Sequence, residues 1–374
     1  MRIALFTGNY RSVVDGVSRT LHRVVEHLGR RGHRVVVFAP AGRGEPIAAP
    51  GECVPVPSVS IPGRPEYRLS TGLGAAARAR LAAHAPELIH VATPDPAGLA
   101  AQRLARRRRL PVVASFHTNY GAYLRYYRAG WLAGALWGHL RRFYAPCRLV
   151  LVPSPSMLAE LRARGFRGDL RLWVRGVDAE VFHPRHRDLA WRRRLGIGDG
   201  EVAVAFVSRL VREKGLDAFA AACEELARRG IAHRRLVVGA GPERARLAQR
   251  LPDAVFTGQL EGAELARAYA SADVFCFPSE TETFGNVTLE AMAAGIPTVC
   301  ADAPGSRQLV EDGASGFLAP AGALAGPLAR LVADPALRAR AAEAARARAE
   351  TFSWEASMVQ LDGLYREALA GGGA

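Results

Sequence analysis

Short apolar runs alternate along the chain with longer stretches in which apolar residues recur every three or four positions. Runs at 2–7, 34–39, 88–91, 112–115, 149–153 and 170–174 read as strands, while Val17, Leu21, Val24, Val25 and Leu28 carry the period of a helix. Further helices are expected over 71–84 and up to Arg106–Arg109. The Pro- and Gly-rich stretch 42–70 reads as loop or one short strand. The alternation resumes with strands at 202–207, 235–239, 254–257, 273–277, 297–300 and 316–318. Helical patterns follow them at 216–229, 242–251, 261–271, 322–333 and 335–350; one more begins near Asn286 and a last one at Ser353. Strand–helix–strand repeats make parallel sheets, so the pattern predicts an α/β chain of two similar halves. Gly176-Val177-Asp178 and His183-Pro184 mark the crossing. The expected division is 1–180, 181–352 and a terminal helical segment, 353–374.

Composition narrows this picture. Hydrophobic residues make up 49% and charged ones 23%, ordinary for a globular chain. No run approaches the ~20 apolar residues of a membrane span, and MRIALFTGNY reads as a first strand rather than a signal peptide. Five scattered cysteines lack CxxC spacing, which argues against a zinc site or disulfide framework and for a reducing cytoplasm. The net charge of +15 is uneven: 27 arginines face nine acids through Arg175, leaving the remainder at −3. One half is therefore strongly basic, as befits a role specific to that half. Of the 50 basic residues only Lys214 is lysine, and the only asparagines are Asn9, Asn119 and Asn286. Where arginine has replaced lysine almost throughout, a surviving lysine points to a site that needs a compact charge.

The stretch PSETETFGNVTLEAMAAG, 278–295, follows an apolar strand and turns through Gly285 into a helix. A helix N-terminus after a glycine turn favours anions. Glu282 and Glu290 at such a place fit a ligand whose neutral hydroxyls they grip while its phosphates lie on neighbouring N–H groups. Upstream, VAVAFVS runs into Arg209 and Val211-Arg212-Glu213-Lys214-Gly215 before another helix. A guanidinium fork and an ammonium there would neutralise a diphosphate and stabilise it as a leaving group. Gly239-Ala240-Gly241 reads as mostly structural, and Gly258 to Leu260 could offer backbone groups to a nucleobase edge. The loop at Gly16 lacks GxGxxG, and on spacing alone a helix cap is the favoured reading. His117-Thr118-Asn119 follows the strand VVASF, at the end where ligands of open α/β sheets bind. No DxD occurs and no cluster has metal-ligand spacing, so a metal-free reaction without a cofactor is expected.

Two basic features stand apart. Arg106–Arg109 exceed what a helix dipole needs. The segment 120–144, with Tyr123, Tyr126, Tyr127, Trp131 and several arginines, mixes amphipathic aromatics with positive charge. That suits a membrane interface; a core helix with a solvated face and a single-stranded nucleic-acid surface are the alternatives.

Together these residues resemble the family 4 retaining glycosyltransferases. The resemblance spans essentially the whole chain and rests on the Gly16 loop, FHTN at 116–119, SRLVREKG at 208–215 and ETFGNVTLEAMAAGIPTV with its Glu282–Glu290 spacing. It implies the GT-B fold, two Rossmann-like domains facing across a cleft, with a C-terminal helix crossing back to the first. It further implies that Arg209 and Lys214 bind the diphosphate of a nucleotide sugar, that Gly16 approaches the phosphates, and that Glu290 holds the ribose. Glu282 and the N–H groups of Phe284, Gly285 and Asn286 would fix the donor sugar, with His117 near its 6-hydroxyl. His117 and Glu282 are thus the expected catalytic positions. Attack on the front face, with the departing phosphate taking the acceptor's proton, would retain configuration. The segment FHTNYGAYLRYYRAGWL is similar to GDP-mannose-dependent mannosyltransferases and to glycolipid-forming enzymes acting at the cytoplasmic membrane face. The expected partners are therefore a nucleotide-sugar donor, a lipid or glycolipid acceptor and an anionic membrane surface, with Arg107, Arg108, Tyr123, Tyr126, Tyr127 and Trp131 on the acceptor or membrane side, and no nucleic acid.

The alternatives are a UDP-sugar transferase forming glucosyl, glucuronosyl or sulfoquinovosyl diacylglycerol, and a transferase acting on a soluble or polysaccharide acceptor. A sugar-nucleotide epimerase, a phosphorylase and a non-catalytic basic binding protein explain fewer of these residues.

Overall fold

The computed structural model describes residues 1–13, 15–42, 46–61, 64–119, 121, 124, 126 and 130–371. The chain divides into two compact units. The first comprises Met1–Thr118, Trp131–Val174 and Glu355–Ala374; the second comprises Arg175–Trp354, with Asn119–Gly130 grouped with it. Each is built on its own parallel sheet.

In the first unit, β1 (Arg2–Phe6), α1 (Gly16–Arg30), β2 (Arg34–Pro40) and β3 (Glu52–Val56) are followed by the hairpin of β4 (Ser58–Ile61) and β5 (Arg64–Ser70). Then come α2 (Ala75–His84), β6 (Leu88–Val91), α3 (Pro96–Arg108), β7 (Val112–Ser115), α4 (Ala133–Tyr144), β8 (Leu149–Val152), α5 (Pro155–Ala163) and β9 (Leu170–Leu172). The strands order as β3-β2-β1-β6-β7-β8-β9, all parallel. The order reverses between β1 and β6, and the crevice at such a switch point receives ligands outside the carboxyl ends of the strands.

The second unit repeats the plan with α6 (Leu189–Arg194), β10 (Ala203–Val207), α7 (Leu216–Arg228), β11 (Arg234–Val238), α8 (Arg244–Arg250), β12 (Val255–Gly258) and α9 (Gly262–Ala270). It continues through β13 (Val274–Phe277), α10 (Asn286–Ala293), β14 (Thr298–Ala301), α11 (Pro304–Arg307), β15 (Gly316–Ala319), α12 (Ala325–Ala333) and α13 (Pro335–Glu350). Its sheet runs β12-β11-β10-β13-β14-β15, with the switch point between β10 and β13. The last helix, α14 (Trp354–Ala370), belongs to the first unit from Glu355 onward.

Burial explains why the runs without alternation become central strands. Every residue of β6, β7, β8, β10, β13 and β14 is buried, as expected where helices cover both faces of a parallel sheet. Each fully buried Val, Ile, Leu or Phe contributes about 1.5–3 kcal/mol. Several helices begin where a side chain satisfies their first N–H groups: Asp15 Oδ1 accepts from Val17 and Ser18 at 3.0 and 2.8 Å, and Ser18 Oγ accepts from the Asp15 N–H at 2.9 Å. Asp95 and Ser154 cap α3 and α5 in the same way, each followed by proline.

One expectation is corrected. Residues 42–70 hold three strands rather than a loop or one short strand: β3 extends the main sheet and β4–β5 form an antiparallel pair. Pro55, Pro57 and Pro65 interrupt the run, which hides the strands in the sequence, yet proline is tolerated at sheet edges.

Candidate functional site

In the second unit, the carboxyl ends of β10 and β13 bring Arg209, Lys214 and Glu282 together at the switch point. Gly215 makes this possible. It stands at φ +75°, and a Cβ there would lie 2.7 Å from the Pro278 carbonyl oxygen, so the two loops touch only because residue 215 has no side chain. Lys214 Nζ then donates to Glu282 Oε1 at 2.5 Å, and Ser279 Oγ donates to the same oxygen at 3.1 Å. Only 12% and 18% of the two charged side chains meet solvent. Burial alone would raise the Glu282 pKa, but the Lys214 ammonium, the hydroxyl of Ser279 and the charge of Arg209 outweigh it and hold the carboxyl below its usual range. Glu282 is thus an anion at neutral pH. The resemblance assigns Lys214 and Glu282 separate ligands; the structure pairs them with each other.

On the other side of Glu282, Gly305 in α11 approaches so closely that a Cβ would stand 2.7 Å from the Glu282 Cβ and 2.8 Å from its carbonyl oxygen. Gly285 opens α10 at φ +96°, and no side chain caps the helix. Its leading N–H groups are therefore available to an external acceptor. The Phe284 side chain is fully buried, 6.2 Å from Phe352 and with the Arg175 guanidinium 5.8 Å over its ring, so only its backbone can serve a ligand. The side-chain oxygen of Asn286 is buried without a hydrogen-bond partner among the described residues. Leaving such an acceptor unmet costs about 1–3 kcal/mol, which an incoming hydroxyl or water would recover. One turn on, Glu290 accepts from the Tyr269 hydroxyl at 3.0 Å, which orients its carboxylate.

Gly239 and Gly241 are structural, as expected: a Cβ on either would strike the carbonyl oxygen of Ser208 or Leu210, at 1.9 and 2.3 Å. Gly258 holds φ +78° with open space beside its Cα, and its carbonyl accepts from the Gly239 N–H at 2.8 Å. Leu260 is half-buried two residues on.

In the first unit, Gly16 is the exposed first residue of α1, immediately after its Asp15 cap. Asn9 Nδ2 and the Tyr67 hydroxyl donate to the second oxygen of Asp15 at 3.1 and 3.0 Å, so the helix entrance is fixed from three sides. His117 lies two residues past β7, 8% exposed, edge-on to Trp173 at 6.1 Å, with Nε2 2.7 Å from Ser115 Oγ. Asn119 is buried beyond it.

The basic–aromatic segment splits. Residues of α4 form a half-buried helix, with Trp137, Leu140, Phe143 and Tyr144 inside and Arg164 stacked 4.2 Å over Trp137. Trp131, by contrast, is 82% exposed. Arg107 and Arg108 are exposed in the last turn of α3 and pair with no carboxylate among the described residues. Tyr126 donates to Glu280 at 3.3 Å and lines a cavity of about 490 Å³ with Arg212, Gly215, Asp217 and Arg246. Tyr123 and Tyr127 lie outside the described residues. No helix among the described residues is long and apolar enough to cross a membrane, and none of their His, Cys, Asp and Glu side chains gather in threes around a potential metal position. A larger cavity, about 730 Å³, lies in the first unit between Arg2, Arg34, Glu52 and Arg80, at the amino ends of the strands, away from where such sheets bind ligands.

Comparison with known proteins gives this geometry a context. The profile of Glycosyltransferase Family 4 matches residues 14–181, and that of Glycosyl transferases group 1 matches 188–348. The GDP-mannose-dependent alpha-mannosyltransferase of Mycobacterium tuberculosis is 36% identical over 99% of this chain and 97% of its own length. The protein of the same description from Corynebacterium glutamicum is 36% identical over 85% of this chain and 76% of its own. A sulfoquinovosyl transferase of Arabidopsis thaliana is 34% identical over 96% of this chain and 72% of its own. Among solved structures, sucrose-phosphate synthase from Thermosynechococcus elongatus superposes with a TM-score of 0.83 over 99% of both chains at 24% identity, a likeness of fold.

Proposed function

The chain belongs to the family 4 glycosyltransferases of GT-B fold, enzymes that transfer hexosyl units, and from that premise we propose that it moves mannose from GDP-mannose to a lipid or glycolipid acceptor. The observation that carries the reading of the site is the Lys214–Glu282 pair beside the uncapped start of α10. A carboxylate held ionised next to an ammonium can accept from sugar hydroxyls while the ammonium meets the neighbouring phosphate. In this reading Arg209 and Lys214 hold the diphosphate, and Glu282 with the N–H groups of Phe284, Gly285 and Asn286 holds the sugar. Glu290, oriented by Tyr269, takes the ribose hydroxyls, and the Gly258–Leu260 backbone meets the base. Gly16 offers its backbone to phosphate oxygen, and His117 hydrogen-bonds the sugar. Mannose and GDP are favoured because relatives described as GDP-mannose-dependent match along nearly the whole chain.

Transfer breaks the bond between sugar C1 and the β-phosphate oxygen and forms one from the acceptor oxygen to C1 on the same face. The departing phosphate takes the acceptor's proton, leaving GDP and an α-mannoside. Arg209 and Lys214 stabilise the charge that develops on the leaving group, so the reaction is proposed to need neither metal nor cofactor. The acceptor side is proposed to lie at the cytoplasmic face of a membrane, where Arg107, Arg108 and the exposed Trp131 fit anionic headgroups.

Incubation with radiolabelled GDP-mannose and a bacterial lipid extract tests this. Label should move into the organic phase at the same rate with and without EDTA. Label that stays wholly aqueous, or transfer abolished by EDTA, contradicts the reading. A second reading, transfer of a sulfoquinovosyl or glucosyl unit to diacylglycerol, is favoured by the likeness to the Arabidopsis thaliana sulfoquinovosyl transferase and predicts label transfer only from UDP-sugars.

A further inference from the structure

Behind His117 the first unit holds a buried chain of polar groups that the sequence reading did not single out. His117 Nε2 is 2.7 Å from Ser115 Oγ, and Ser115 Oγ is 2.8 Å from His90 Nε2. His90 Nδ1 is in turn 2.6 Å from the hydroxyl of Tyr365 in α14. Tyr365 and His90 are fully buried and Ser115 almost so. His90 is neutral, because burial pushes its pKa down to about 3. A neutral imidazole carries one N–H, and a serine or tyrosine hydroxyl carries one proton. Two proton patterns can therefore run along the chain, in opposite directions.

Tyr365 decides between them. Its hydroxyl has no hydrogen bond among the described residues other than the one to His90. Were His90 Nδ1 the donor, the phenol proton would be buried without an acceptor, at a cost a buried polar group rarely bears. The proton of Tyr365 must therefore go to His90 Nδ1. His90 then donates from Nε2 to Ser115, and Ser115 donates to Nε2 of His117. A ring nitrogen that accepts cannot carry the proton, so His117 holds it on Nδ1.

We infer that Tyr365, acting through His90 and Ser115, fixes His117 as the Nδ1–H tautomer and is a positioning residue for the histidine that contacts the donor sugar. On the reading of His117 given above, on which this inference rests, the tautomer decides which ring nitrogen can donate to a sugar oxygen. A histidine free to exchange tautomers would present that donor only part of the time.

The test uses full-length protein labelled with nitrogen-15 histidine, with the His117 signals assigned by their loss in His117→Gln. In the wild type, long-range proton–nitrogen correlation should show Nδ1 in the protonated, pyrrole-type range and Nε2 in the pyridine-type range. Tyr365→Phe removes the proton that sets the direction, and should give His117 a mixed tautomer population. Ser115→Ala removes the donor to His117 itself and serves if the tyrosine variant does not fold. Calorimetry adds a readout that general loosening would not produce. GDP-mannose should bind Tyr365→Phe about five- to tenfold more weakly than wild type, with GDP binding unchanged, since only the sugar contact is altered. A wild-type His117 protonated on Nε2, or an unchanged tautomer in both variants, overturns the inference. If the wild type does not bind GDP-mannose at all, the proposed donor fails, yet the tautomer measurement still decides this one.

Discussion

At the scale of single residues, the site rests on charges that burial would otherwise suppress. Glu282 stays ionised because Lys214 lies against it, so each needs the other. Removing one partner strands the other; for a pair that retains some water contact the cost is about 2–3 kcal/mol, below the ~3–5 of a fully buried pair. Glu282→Ala is expected to lower kcat/KM for transfer at least 100-fold while the protein remains folded, as read by label transfer alongside a thermal melt. A fully active Glu282→Ala would show that the sugar is held elsewhere. His90 gives a pH signature of its own. Its folded pKa, about 3, lies below the ~6.5 of an unfolded histidine, so protons bind the unfolded chain more tightly. Its contribution is fully present above pH 6.5 and is lost as pH falls toward 3, by up to about 1.4 kcal/mol per unit. Denaturant titrations at stepped pH should show a shallower decline for His90→Gln than for wild type between pH 6 and 4; parallel curves would mean that His90 is protonated in the folded state. The residues marked by rarity or motif, Lys214, Glu282 and Asn286, were legible in the sequence. Ser279 was not, because nothing in its type marks it, and neither was the chain from Ser115 through His90 to Tyr365, whose partners lie up to 275 positions apart in ordinary strand and helix patterns.

Elements carry the next level of the account. The central strands were legible because both faces are buried, so they stand out as unbroken apolar runs, and most helices of the second half followed from their period. The hairpin β4–β5 leaves no clear trace in the sequence because its faces are partly exposed and prolines break its pattern. Also unreadable were the close approaches that place loops against one another. Nothing in the sequence marks Gly305, yet it is where α11 abuts Glu282. Gly305→Ala should force the two backbones apart, lowering kcat/KM about tenfold or more with only a small change in Tm, because the shift is local to the site. Gly215→Ala meets both a strained φ and the Pro278 carbonyl, and should lower Tm as well as activity. A Gly305→Ala enzyme with normal kinetics would show that the contact with Glu282 is slack.

For the whole molecule, charge is distributed unevenly. The first 175 residues carry more positive charge than the whole chain's net, the remainder being slightly acidic, and Arg107, Arg108 and Trp131 are exposed in that half. Each arginine near an anionic surface contributes about 1 kcal/mol, so a handful give reversible docking. The protein should co-sediment with vesicles containing phosphatidylglycerol at low salt and be released at high salt, where charges are screened. Replacing Arg107 and Arg108 with Gln should weaken sedimentation while leaving donor binding unchanged; indifference of the wild type to such vesicles would favour a soluble acceptor. The division into two α/β halves and the uneven charge could both be read from the sequence, whereas the nucleobase could not. In the proposed site the base would meet backbone groups near Gly258 and Leu260, which no residue type announces. The most direct test of the account is therefore the choice of donor. Thermal melts of the purified protein against a panel of GDP- and UDP-sugars should show GDP-mannose raising Tm the most, by the several degrees that about 2.7 kcal/mol gives at a hundredfold excess over Kd. Stabilisation by a UDP-sugar with no response to GDP-mannose would contradict it.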